Sequence, residues 1–89
     1  MSYTVQFSEN ARRALKKMDR HQSVIIVSWI EKNLEGCSDP RFHGKALAGD
    51  KKEYWRYRVG MYRLIADIQD SRVLIEIINI AHRREVYGG

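Results

Sequence analysis

Apolar and polar residues first alternate, then recur at helical spacing, then alternate again along this chain. Tyr3, Val5 and Phe7 alternate with Thr4 and Gln6, the period of two that marks a short half-buried strand. Ser8 and Glu9 follow. A serine cap and an acidic first turn satisfy free backbone N–H groups and complement the dipole, so a helix starts there. Ala11, Leu15 and Met18 fall on one stripe of it, with Arg12, Arg13, Lys16 and Lys17 on the other side. Asp19 and Gln22 have capping-box spacing, with aspartate as a variant cap, and open a second helix to about position 35, before Gly36. The two helices form a hairpin. Val24-Ile25-Ile26-Val27 taken alone fits a buried strand equally well, and the length of the segment decides for helix. Ile26, Val27, Ile30 and Leu34 then make the core stripe, and Trp29 is expected to pack or to line a partner groove.

No periodicity runs through positions 36–53, and a loop of that length in a compact domain is usually functional or mobile. Lys45, Lys51 and Lys52 could reach a phosphate backbone, although solvated lysines are the commoner outcome. His43 is expected to be exposed. Alternation then resumes, with Trp55, Tyr57 and Val59 interleaved with Arg56 and Arg58. Gly60-Met61 suits a two-residue type II′ loop, which pairs Val59 with Tyr62, Arg58 with Arg63 and Arg56 with Ile65. Tyr62, Leu64, Ala66 and Ile68 continue the apolar face. Positions 69–72 read as a turn, and positions 73–80, apolar apart from Glu76 and Asn79, as a central strand. The expected fold is α+β, a helical hairpin packed on an antiparallel sheet in the order β-α-α-β-β-β. The last three strands form a meander, and the neighbour of the opening strand stays open.

That register places Arg56, Arg58 and Arg63 on one face. Like charges directly opposite each other, with Cβ atoms about 4.5 to 5.5 Å apart, destabilise a sheet unless something negative lies between them. A phosphodiester meets that need, whereas a single strand arginine is more often simply solvated.

Composition narrows the partners. The 89 residues make one domain, 1–89, with a modest core, and 44% hydrophobic and 30% charged residues are ordinary for a globular protein. A formal net charge of +5 favours polyanions. No apolar run is long enough to span a membrane and the first residues do not read as a signal peptide, so a cytoplasmic protein without a membrane partner is expected. Cys37 is the only cysteine and reads as an incidental loop thiol. No metal or other cofactor is expected, because no cysteine cluster exists to hold zinc.

Titratable groups gather after the last strand, in Ile80-Ala81-His82-Arg83-Arg84-Glu85-Val86-Tyr87. Metal-free RNA cleavage needs a base for the 2′-hydroxyl, an acid for the leaving 5′-oxygen and positive charge for the phosphorane. Arg63 and Arg83 suit charge stabilisation, since arginine does not readily shuttle protons. Histidine as a residue type serves as acid or base at neutral pH, which makes His82 a candidate, and Tyr87 beside guanidinium groups would have its phenolate favoured. Which of the two is acid and which is base stays open, and the spacing alone is not specific.

Gly44-Lys45-Ala46-Leu47-Ala48-Gly49, the segment from Trp55 through Ile65 and the segment from Ile80 through Tyr87 together resemble the RelE family of toxin–antitoxin modules. The resemblance covers nearly the whole chain and implies the same two-helix fold. It further implies a ribosome-dependent endoribonuclease that cuts mRNA in the A site by 2′-hydroxyl attack without metal. By position, Arg56 and Arg58 match the mRNA-contacting basic strand residues, Arg63 the transition-state arginine, Arg83 a second active-site arginine and Tyr87 the C-terminal tyrosine. Lys45 joins the RNA-binding set, and His82 stands where some relatives carry lysine. A cognate antitoxin with an acidic, amphipathic segment is the implied protein partner, with mRNA and the ribosome as targets. The alternatives are a ParE-like gyrase poison of the same fold without nuclease activity, and a catalytically silent RNA-binding module.

Overall fold

The computed structural model describes residues 2–47 and 53–82. Its elements are β1 (Thr4–Phe7), α1 (Glu9–Lys17), α2 (Arg20–Asn33), β2 (Lys45–Leu47), β3 (Tyr54–Val59), β4 (Tyr62–Gln69), a 3-10 turn (Asp70–Arg72) and β5 (Leu74–His82). The five strands form one sheet in the order β1-β5-β4-β3-β2. β2 through β5 pair antiparallel, while β1 runs parallel to β5, so the sheet is mixed at one edge.

Ser8 explains how the opening strand finds its place. Its N–H donates to the Ile77 carbonyl at 2.9 Å and its hydroxyl to the Ile78 carbonyl at 2.8 Å, while the same hydroxyl accepts from the Ala11 N–H at 3.1 Å. One residue thus caps α1 and ties the end of β1 to β5. Asp19 caps α2 through the His21 N–H rather than through a reciprocal capping box. Gly36, at φ +78°, takes the left-handed conformation that ends such a helix, and its N–H donates to the Tyr3 carbonyl.

Both helices lie on one face of the sheet. Ala11, Ile26, Ile30 and Leu34 bury against Tyr57, Val59, Leu64, Ala66, Ile75, Ile77 and Ile80. Val27, expected in the core, is only half-buried, and Val24 and Ile25 are exposed, so the β-branched run serves helix and solvent at once. The Ile65 to Ala66 step of β4 faces a bulge at Ile78 of β5. That extra residue switches the side-chain parity, which is how Ile75, Ile77 and Ile80 all reach the helix-covered face.

The unperiodic loop is more ordered than its sequence suggests. It contains β2, three residues that pair with β3 and extend the meander by an edge strand. Before it, the Tyr57 hydroxyl donates to the Pro40 carbonyl and the Trp55 indole N–H to the His43 carbonyl at 2.6 Å. Arg41 makes a two-pronged ion pair with Asp70 at 3.1 and 3.0 Å, and the Tyr3 hydroxyl donates to the same carboxylate at 2.6 Å.

Candidate nucleic-acid interface

Gly60 is what aims the arginines. It takes φ +59° and Met61 does not take a positive φ, the pattern of a type II′ loop, and this turn sets the register of the hairpin. Arg58 lies opposite Arg63, Arg56 opposite Ile65 and Val59 opposite Tyr62. β2 adds Lys45 directly opposite Arg56. Two consecutive cross-strand pairs, Lys45 with Arg56 and Arg58 with Arg63, therefore bring four cations onto the face of the sheet away from the helices. Among the described residues, no carboxylate forms an ion pair with Lys45, Arg56 or Arg58.

The cations differ in exposure. Lys45 and Arg58 are exposed, Arg56 is intermediate, and Arg63 keeps only 2% of its surface. Strand order contributes to the difference. β4 is the middle strand of five, so Arg63 is flanked by Arg58 on β3 and Ala81 on β5. Further along the same face, Asp67 stands opposite Glu76. Four residues of strand separate Asp67 from Arg63, about 13 Å at strand rise, so the face is basic at one end and acidic at the other.

His82 does not join this cluster. It neighbours Ala81, the cross-strand partner of Arg63, and alternation turns it to the helix-covered side, where its ring meets Tyr62 edge-on at 5.2 Å. It lies there in a groove of about 570 Å³ with Asn10, Arg13, Lys17 and Met18 of the α1 region. Arg83, Tyr87, Lys51 and Lys52 lie outside the described residues. Cys37 packs against the core, where burial raises its thiol pKa, in keeping with an unreactive thiol. Burial likewise pushes the Tyr57 phenol up, which keeps it a hydrogen-bond donor.

The sequence reading passed over a second feature of this region. A concavity of about 410 Å³ is lined by Trp29, His43, Gly44, Lys45, Arg56 and Arg58. Gly44 permits it: at φ +82°, a Cβ there would lie 2.3 Å from the Arg56 carbonyl oxygen and 2.8 Å from the Trp55 indole nitrogen. The available signal was Phe42-His43-Gly44-Lys45, two rings followed by a glycine and a cation.

A helical hairpin on one side of a mixed sheet and paired cations on the other mark a small basic α+β protein with an unusual charged face. The chain belongs to the RelE/ParE toxins of type II toxin–antitoxin systems: the family profile described as "ParE toxin of type II toxin-antitoxin system, parDE" matches residues 5–87. Toxin RelG of Mycobacterium tuberculosis is 31% identical over 87 residues, covering 98% of each chain. Among solved structures, a chain of the toxin–antitoxin complex RelBE2 from Mycobacterium tuberculosis superposes with a TM-score of 0.82 at 30% identity, covering 93% of both chains. A free mutant of Escherichia coli toxin RelE has the same fold, with a TM-score of 0.74 at 22% identity over 99% of this chain and 93% of that one.

Proposed function

We propose that this toxin is a ribosome-dependent endoribonuclease that cuts mRNA in the A site and so stops translation. The observation that carries the reading is the pairing of Lys45 with Arg56 and of Arg58 with Arg63, four cations on adjacent strands. Lys45, Arg56 and Arg58 have no carboxylate partner among the described residues, and a polyanion would relieve the repulsion between these neighbouring cations. Lys45, Arg56 and Arg58 would hold backbone phosphates, and Arg63 would stabilise the charge that develops on the phosphorane. In the reaction, a base removes the 2′-hydroxyl proton, the 2′-oxygen bonds to phosphorus and the bond to the 5′-oxygen breaks as that oxygen is protonated. The products are a 2′,3′-cyclic phosphate and a 5′-hydroxyl. Tyr87 and Arg83 remain the partners proposed for proton transfer and charge, whereas His82, on the other side of the sheet, is no longer part of the proposed set.

Burial of Arg63 adds a requirement. A guanidinium 2% exposed meets a phosphate only once its surroundings give way, so docking on the ribosome and access to Arg63 are expected to be coupled. The cognate antitoxin proposed as protein partner would reach the basic face with an acidic, amphipathic segment. Cleavage of mRNA on programmed ribosomes tests the reading. Arg63→Ala and Tyr87→Phe are each expected to slow it about a hundredfold or more, and undiminished cleavage by both would overturn it.

A second reading has its own support, since the matching family profile is that of ParE toxins. A gyrase poison would leave translation running while inducing DNA damage after expression. Translation arrest without DNA damage is the expected outcome.

A further inference from the structure

We infer that the concavity at the open end of β2 is a base-stacking pocket for single-stranded RNA. An unpaired base lies against the Trp29 and His43 rings, while Lys45, Arg56 and Arg58 hold the flanking phosphates. The inference rests on the RNA reading above and adds to it a place for the base.

Strand length creates the site. β2 begins at Lys45, opposite Arg56, so from Tyr57 onward β3 has no strand beside it on that edge. Around this open edge, a ring from the helical layer and cations from the opposite face line one cavity of about 410 Å³. That volume falls within the usual range for small-ligand sites.

The rings form a graded series from the core outward. Tyr57, wholly buried, meets Trp29 at 5.8 Å, Trp29 meets His43 at 5.6 Å, and His43 meets Phe42 at 5.0 Å. Phe42 ends the series at 78% exposure, well above Val24, Ile25 and Met61, the other exposed large apolar side chains among the described residues. The wall is held in place before any ligand arrives. The Trp55 indole N–H fixes the His43 carbonyl, the Tyr57 hydroxyl fixes Pro40, and Gly44 lets the backbone approach Arg56. Flat rings fixed beside cations that have no carboxylate partner among the described residues suit a ligand with flat rings along a polyanionic backbone. An acidic amphipathic peptide would use the cations and lay apolar side chains on the wall, but it lacks the flat ring faces that a base stacks there.

A labelled 2′-O-methyl oligoribonucleotide, which cannot be cut by 2′-hydroxyl attack, is titrated against the wild type and the variants by fluorescence anisotropy. Thermal melts verify folding. His43→Ala is expected to weaken binding about fivefold to a hundredfold, and Phe42→Ala, whose ring supports His43 from outside the concavity, to weaken it about twofold to fivefold. They should leave the salt slope unchanged and should not affect an abasic oligomer of equal length. Arg58→Ala should instead weaken both oligomers and reduce the salt slope by about 0.7. Because Phe42 is exposed, its variant stays informative if His43→Ala fails to fold.

Aromatic variants that bind like the wild type, while Arg58→Ala binds weakly, would overturn the stacking pocket and leave the RNA reading standing. Equal losses on the abasic and base-bearing oligomers would overturn it too. Loss of an acidic peptide with RNA binding intact would assign the pocket to a protein partner. A wild type that does not bind the oligomer, or Arg58→Ala without effect, would overturn the pocket as an RNA site of the free toxin, and the cleavage assay on programmed ribosomes decides the nuclease reading separately.

Discussion

The two faces of the sheet are built from the same strands under opposite rules. On the helix-covered face, Tyr57 meets Leu64 and Val59 meets Tyr62, apolar pairs that gain by leaving water. One residue out of step on the same strands, Arg58 meets Arg63, and Lys45 meets Arg56. The first set holds the molecule together, and the second gathers positive charge. Burial energy from one face is what allows the other to keep cations where a polyanion can find them, a familiar trade between stability and function.

The widest contrast comes from truncating one residue on each face. Leu64→Ala removes a wholly buried side chain from the middle strand and should cost about 2 to 5 kcal/mol in urea denaturation. Arg58→Ala should stay within about 0.5 kcal/mol of the wild type, because Arg58 is exposed and has no carboxylate partner among the described residues. A large loss from Arg58→Ala would mean that the basic face is structural after all. Gly44→Ala comes next. Its Cβ would collide with the Arg56 carbonyl in a left-handed conformation, so a loss of about 1 to 3 kcal/mol is expected. Hydrogen exchange should show faster opening of the Lys45–Leu47 amides, and unchanged protection would contradict the role given to Gly44.

Asp70→Asn should have the smallest effect. The Arg41 guanidinium first, and the Tyr3 hydroxyl second, hold the Asp70 carboxyl below its usual pKa. A depressed folded pKa contributes stability that is present above the unfolded value, near 4, and is lost as pH falls through the folded value. The pair is exposed, so the substitution should lower the melting temperature by less than about 5 °C at neutral pH. The difference from wild type should shrink as the pH drops below about 4. A difference that persists in acid would point to a cause other than the ion pair.

Local pattern carried a great deal of this architecture. Ser8 and Asp19 announce both helix starts, and Gly60 with strict alternation announces the hairpin and its register, because caps and two-residue turns are satisfied by near neighbours in the chain. The arginines of that hairpin were legible for the same reason. β2 was not, since three residues without alternation become a strand only when a neighbour offers its edge. The Phe42–His43–Trp29 series was equally hidden, because it joins a loop to a helix more than ten positions away.

Alternation and turn chemistry were enough to establish the two helices, the meander and the common face of Arg56, Arg58 and Arg63, all of them consequences of contacts between near neighbours in sequence. Only the assembled sheet decided that β1 runs parallel beside β5, that Arg63 is enclosed on the middle strand and that His82 faces the helices. Those outcomes depend on strand order and on one bulge at Ile78, and neither is fixed until distant segments share the same core.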